Sequence, residues 1–214
     1  MLYDTLIFDL DGTLLNTLPD LHAAVNFALR HFSMPERTME EVRTFVGNGI
    51  YNLIKRSVPD SSNSDTVDAV LDVFKKYYKE NSCNLTKAYD GIYGLLDAAK
   101  RNGLKLAVVT NKAHFAALTI CDTYFPKTFD LVLGERESEG IKKKPAPDAV
   151  YDVMKKLSSK SALYIGDSEV DIETARNASL PCAVVTWGFR TREELKEAEM
   201  LFDTAEELLR HITE

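Results

Sequence analysis

The chain has 214 residues, 45% hydrophobic and 28% charged, ordinary globular material long enough for one large domain or a core with a smaller insertion. Its net charge of −7 argues against a nucleic-acid binder, whose affinity rests on a basic surface, so an anionic ligand has to be captured by a local positive site. No apolar run approaches the roughly 20 residues of a membrane span, and Cys83, Cys121 and Cys182 have neither metal-ligand spacing nor a disulfide framework, which fits a reducing cytoplasm.

Met1-Leu2-Tyr3-Asp4 lacks the basic and apolar stretch of an export signal, and a strand begins at once. That strand, through Ile7-Phe8, runs into Asp9-Leu10-Asp11-Gly12-Thr13. If it continues, both carboxylates point to one side. Like charges so close favour protonating one of them, a penalty removed by a hard divalent cation such as Mg²⁺. A surface turn is the alternative, since Asp and Gly are ordinary turn residues.

Pro19 suits a first helical turn, and Leu21, Val25, Ala28, Leu29 and Phe32 recur at helical spacing. Further helical patterns cover 38–45 and 50–57. After the turn-rich Pro59–Ser64 stretch, Val67, Val70, Leu71, Phe74, Tyr77 and Tyr78 form another stripe. Residues 16–82 therefore read as an all-helical block. From residue 90, helix and strand alternate: helices near 91–102, 112–124, from Pro147, and 170–178; strands at 104–109, 131–133, 162–165 and 182–185. This alternation predicts an α/β fold with a doubly wound, mostly parallel, Rossmann-like sheet. The expected division is a core of 1–15 and 83–214 with a helical insertion of 16–82.

Ligands of such sheets bind beyond the carboxyl ends of the strands, where three further polar clusters fall. Thr110 and Asn111 follow Val108-Val109; they either cap the next helix or help its N–H groups cradle a phosphate. Lys142 and Lys143 read as a solvated run, whereas Lys144 is restricted by Pro145 and could face a phosphoryl oxygen or a carboxylate. Asp167, after an apolar strand and Gly166, is a sensible third oxygen ligand. Ser168 could cap the following helix, and Asp171 either complements its positive start or supports the metal. His22, His31, His114 and His211 are scattered, and no nucleophile elbow, Walker loop or metalloprotease motif occurs.

Asp9-x-Asp11-Gly12-Thr13, Thr110-Asn111, Lys144-Pro145 and Gly166-Asp167-x-x-x-Asp171 resemble, in order and spacing, the four motifs of the haloacid dehalogenase superfamily, and the helical insertion resembles its α-helical cap. The resemblance implies a Mg²⁺-dependent phosphatase forming an aspartyl-phosphate on Asp9, with Asp11 as acid and base. It also implies Mg²⁺ held by Asp9, the Asp11 carbonyl and Asp167, with Asp171 supporting. Thr110, Asn111, Lys144 and Gly12 would hold the phosphoryl group. Phe45-Val46-Gly47-Asn48-Gly49-Ile50, with Leu53 and Arg56, is similar to a cap segment of phosphoglycolate phosphatases. Gly47, Asn48, Gly49 and Arg56 then meet a substrate carboxylate, or the glycines merely relieve a helix–helix turn. A small acid phosphate such as 2-phosphoglycolate is the leading substrate. Pyrophosphatase, sugar-phosphate phosphatase and β-phosphoglucomutase activities are the alternatives within the superfamily, and a non-catalytic phosphate-binding protein is the alternative outside it. No nucleic-acid or membrane partner is expected.

Overall fold

The computed structural model describes residues 2–214. In chain order its elements are β1 (Thr5–Phe8), β2 (Leu15–Asn16), α1 (Leu18–His31), α2 (Met39–Phe45), α3 (Ile50–Ser57), α4 (Ser64–Asn81), β3 (Lys87–Ala88), α5 (Ile92–Arg101), β4 (Lys105–Ala113), α6 (His114–Tyr124), β5 (Leu131–Glu135), α7 (Asp148–Lys156), β6 (Ala162–Gly166), α8 (Glu169–Asn177), β7 (Cys182–Val185), β8 (Met200–Phe202) and α9 (Ala205–Thr213). The chain divides into two compact units: the stretch up to Leu15 together with Ala88–Glu214, and Asn16–Lys87.

The first unit is built on a six-stranded sheet in the order β5-β4-β1-β6-β7-β8, parallel at every pairing. The middles of its central strands are apolar because both faces are covered: Leu6, Ile7, Phe8, Leu106, Ala107, Val108, Leu163, Tyr164 and Ile165 are all buried. Strand order reverses around β1, which lies between β4 and β6. This places a ligand crevice at the carboxyl ends of these three strands. Phe8 is level with Val108 on one side and Ile165 on the other. The residues that follow, Asp9, Thr110 and Asp167, therefore emerge at one end of the sheet.

Three local differences from the sequence expectation bear on the site. First, β1 ends at Phe8 and the chain bends at Leu10, so Asp9 and Asp11 do not continue one strand; Gly12, at φ 93°, then turns the chain. Second, β4 extends to Ala113 with a register irregularity after Val109, and α6 starts only at His114. The residue at its N-cap is Ala113, so neither Thr110 nor Asn111 caps that helix. Third, β8 and α9 complete the sheet edge and its cover after residue 185, where no element was expected.

The second unit packs α1 against α4, with Phe27 and Tyr77 stacked at 4.1 Å between ring centres. A reciprocal cap of Thr38 and Glu41 starts α2. The last residues of this unit, beyond the expected 82, are held by the buried Asp20 carboxylate, which accepts from the Leu85 and Thr86 N–H groups and the Thr86 hydroxyl.

Candidate active site

Asp9 leaves β1 with its N–H donating to the Ile165 carbonyl (2.8 Å), so its backbone is still tied to β6. Its carboxylate is buried, with Oδ1 2.9 Å from the Lys144 ammonium in an ion pair. Burial pushes its carboxyl up to about 6, Lys144 opposing and Asp171 adding. Asp11, after the bend at Leu10, meets a different cation: the buried Lys112 ammonium donates to both of its oxygens at 3.0 and 3.2 Å. Gly12 donates its N–H to the Leu15 carbonyl at 2.9 Å, inside the turn. Its missing side chain matters elsewhere, since a Cβ there would lie 2.3 Å from Asp167 Oδ2.

Lys144 is buried and aligned from its backbone. Its N–H donates to Asn111 Oδ1 (2.8 Å), and Asn111 Nδ2 donates to its carbonyl (3.1 Å). Asn111 thus positions Lys144. The ammonium also donates to Asp171 Oδ1 (2.7 Å), bridging Asp171 and Asp9. Burial opposes its charge, but Asp171 and Asp9 outweigh it and hold the amine well above its usual range. Thr110, also buried, accepts the Lys112 N–H on its hydroxyl at 3.3 Å.

Asp167 and Asp171 differ in how they are satisfied. Asp171 Oδ2 accepts from the Asp167 and Ser168 N–H groups (3.2 and 3.1 Å) and from the Ser168 hydroxyl (2.6 Å), while Oδ1 takes Lys144. It both complements the start of α8 and anchors the lysine. Asp167 receives one neutral donor on each oxygen, the Thr13 hydroxyl (3.0 Å) and the Phe189 N–H (2.7 Å). Among the described residues no ammonium or guanidinium pairs with it. Burial, then Asp171 and Asp9, push its carboxyl well above the ordinary carboxylate range.

Oxygens of Asp9, Asp167 and Asp171 lie within 4.8 Å of one another, all three residues buried. Asp11 has its own partner in Lys112, whereas the three buried carboxylates have one ammonium among them, Lys144, which pairs with Asp9 and Asp171 and not with Asp167. Two negative charges are left over, the complement of one divalent cation, and the donors are hard oxygens suited to Mg²⁺. The site therefore fits such an ion.

The structure brings Asp9, Asp11, Gly12, Thr110, Asn111, Lys144, Asp167 and Asp171 to one end of the sheet. Gly47, Asn48, Gly49 and Arg56 belong to the second unit. There Gly47 and Gly49 have φ of 120° and 81°, Gly49 precedes α3, and Arg56 donates to the Phe45 carbonyl at 3.1 Å. Sequence reasoning missed Lys112, which directly follows Asn111 and would have been found had β4 been extended three residues. It also missed Tyr164, whose hydroxyl lies 3.3 Å from Asp171 Oδ1 and whose ring centre is 5.8 Å from the Lys144 ammonium.

The family model of the haloacid dehalogenase-like hydrolases matches residues 6–185. Phosphoglycolate phosphatase 1 of Pseudomonas aeruginosa is 33% identical over 213 residues, covering 95% of this chain and 77% of the relative. A phosphoglycolate phosphatase of Haemophilus influenzae is 36% identical over 217 residues, covering 94% and 95%. The crystal structure of a candidate phosphoglycolate phosphatase from Lactobacillus delbrueckii subsp. bulgaricus superposes with a TM-score of 0.93 at 35% identity, covering 99% of both chains. No helix among the described residues is long and apolar enough to cross a membrane.

Proposed function

The chain belongs to the haloacid dehalogenase-like hydrolase family and is a phosphoric monoester hydrolase; from that premise we propose that it hydrolyses a small acidic phosphomonoester, 2-phosphoglycolate first among them, with Mg²⁺ and through a phosphorylated Asp9. The observation that carries this reading is the buried trio Asp9, Asp167 and Asp171, of which Asp9 and Asp171 share the Lys144 ammonium and Asp167 has only neutral donors. So much negative charge is costly to bury without a cation. The substrate preference rests on the names of relatives that match along nearly the whole chain.

In this mechanism an Asp9 oxygen attacks phosphorus, the ester P–O bond breaks, and the Asp11 carboxyl gives its proton to the departing alkoxide. Water then gives a proton to the Asp11 carboxylate as its oxygen attacks phosphorus. The Asp9–phosphorus bond breaks, and inorganic phosphate leaves with Asp9 regenerated. Lys144, set by Asn111 and Asp171, faces the charge that develops on the transferring group, and Thr110 offers its hydroxyl there. Asp9, the Asp11 carbonyl and Asp167 would hold the Mg²⁺, with Asp171 supporting through Lys144 and the Asp167 backbone. When bound, the ion supplies charge neutralisation and Lewis-acid polarisation of a phosphoryl oxygen.

In the same reading the helical unit Asn16–Lys87 is a cap whose Gly47–Arg56 segment selects the substrate's acid group. The three free cysteines suit a reducing, cytoplasmic setting. Phosphate release from 2-phosphoglycolate, pyrophosphate, nucleotides and hexose phosphates with Mg²⁺ tests the proposal. The highest kcat/KM on 2-phosphoglycolate, abolished by Asp9→Asn, supports it; no release from any of them overturns it.

A further inference from the structure

Beyond the four motif clusters, one segment of the first unit reaches the site from after β7. We propose that Trp187-Gly188-Phe189 is a positioning collar for the cation site: its backbone fixes the Asp167 carboxylate for the ion, and the Trp187 indole ties the collar to the Thr13 turn. The inference rests on the Mg²⁺ reading of the site given above.

The contacts come from two sides. The Phe189 N–H donates to Asp167 Oδ2 at 2.7 Å, and the Thr13 hydroxyl donates to Oδ1 at 3.0 Å. Trp187 Nε1 then donates to the Thr13 carbonyl at 3.0 Å, joining the two sources of these donors across 174 positions of sequence. The other end of the segment is pinned to α8, where Arg190 Nε donates to Glu169 Oε2 at 2.8 Å. Gly188 lies flush against the carboxylate: a Cβ there would stand 2.3 Å from Asp167 Cβ and 2.4 Å from Oδ2. Any side chain at 188 must displace Asp167 or the collar.

The donor types are the informative part. Asp9 and Asp171 are held by an ammonium, whereas Asp167 is held by an N–H and an O–H, both neutral. Two neutral donors, one per oxygen, fix the rotation of the carboxylate while leaving its charge and its remaining lone pairs for another partner. A side chain serving only to pack the sheet end needs no such arrangement, whereas a metal ligand does, because outer hydrogen bonds set its orientation and affinity.

The test is Mg²⁺ binding by isothermal titration calorimetry on the intact protein, wild type against Trp187→Phe and Gly188→Ala, with the melting temperature of each in EDTA. Trp187→Phe keeps an aromatic ring while removing the N–H donor and the bulk of the indole's second ring. We expect it to weaken Mg²⁺ about tenfold, and Gly188→Ala by tenfold to 100-fold, the range seen when outer partners of metal ligands are removed. The EDTA melting temperature of Trp187→Phe should stay near wild type, which separates positioning from loss of fold. Trp187 is the only tryptophan in the chain, so its emission in wild type should change with the same Kd. If Gly188→Ala does not fold, Trp187→Phe decides alone. Wild-type affinity retained within twofold by the folded variants overturns the collar and leaves the Mg²⁺ reading standing; a wild type that binds no Mg²⁺ overturns both.

Discussion

Replacing Asp9 by asparagine should have opposite consequences for activity and for metal-free stability. Burial raises the Asp9 carboxyl from its usual 3.8 to about 6, Lys144 opposing and Asp171 adding. At ~1.4 kcal/mol per tenfold, ionising Asp9 in the folded protein costs about 3 kcal/mol relative to the unfolded chain. Because the folded value lies above the unfolded one, this group's contribution to stability is fully present below pH 3.8 and is lost as pH rises through about 6. Roughly 1.4 kcal/mol of that loss develops between pH 5 and 8. The amide of the Asp9→Asn variant has no proton to lose, and Lys144 keeps Asp171 as its partner. Urea unfolding of both proteins in EDTA should therefore show Asp9→Asn gaining about 1.4 kcal/mol on wild type from pH 5 to 8, or about 3–6 °C in melting temperature for a chain of this size. Asp167 is present in both proteins, and losing the Asp9 charge beside it eases its ionisation, which moves the difference in the same direction. With saturating Mg²⁺ the wild type should regain the difference. A stability gap independent of pH in EDTA, or one that moves in favour of wild type as pH rises, would refute the charge-burial argument.

Lys144→Ala leaves Asp9 and Asp171 without their shared cation. Breaking a buried pair in this way costs about 3–5 kcal/mol, and kcat should fall at least ~100-fold; urea unfolding and steady-state kinetics read the two effects. Lys112→Met removes the ammonium that places the Asp11 carboxylate. A proton-transfer group contributes about 10²–10⁴ in rate, so losing its placement should lower kcat by at least tenfold while KM moves less than threefold; an unchanged kcat would show that the pair only packs. Gly12→Ala combines a strained positive φ with a Cβ 2.3 Å from Asp167 Oδ2. It should cost about 1–3 kcal/mol in unfolding experiments and weaken Mg²⁺ in the same preparation.

How much of this was legible in the sequence depended on whether each feature was local. Asp9 and Asp167 each follow an apolar run at the carboxyl end of a buried strand, so strand position alone marked them. Lys144 was distinguished from Lys142 and Lys143 by Pro145 and by the helix that starts shortly after it, and of the three lysines it is the buried one. The pairing of Asp11 with Lys112 was hidden because a lysine after Thr-Asn reads as the first turn of the next helix. The extension of β4 to Ala113 comes from its pairing with β5, a tertiary effect that local periodicity does not carry. β8 is a three-residue strand between charged segments, too short for an alternation signal. The placement of Gly188 against Asp167 depends on approach through space, and no spacing along the chain encodes it.

The central claim is that Asp9 carries the phosphoryl group during turnover. Enzyme quenched in acid during steady-state hydrolysis of 2-phosphoglycolate with Mg²⁺, reduced with borohydride and read by peptide mass spectrometry should carry reduced aspartate at Asp9 and nowhere else. The same treatment of enzyme without substrate should leave that peptide unmodified. Turnover with no modification at Asp9, or with the modification on Asp11 or Asp167 instead, would contradict the mechanism.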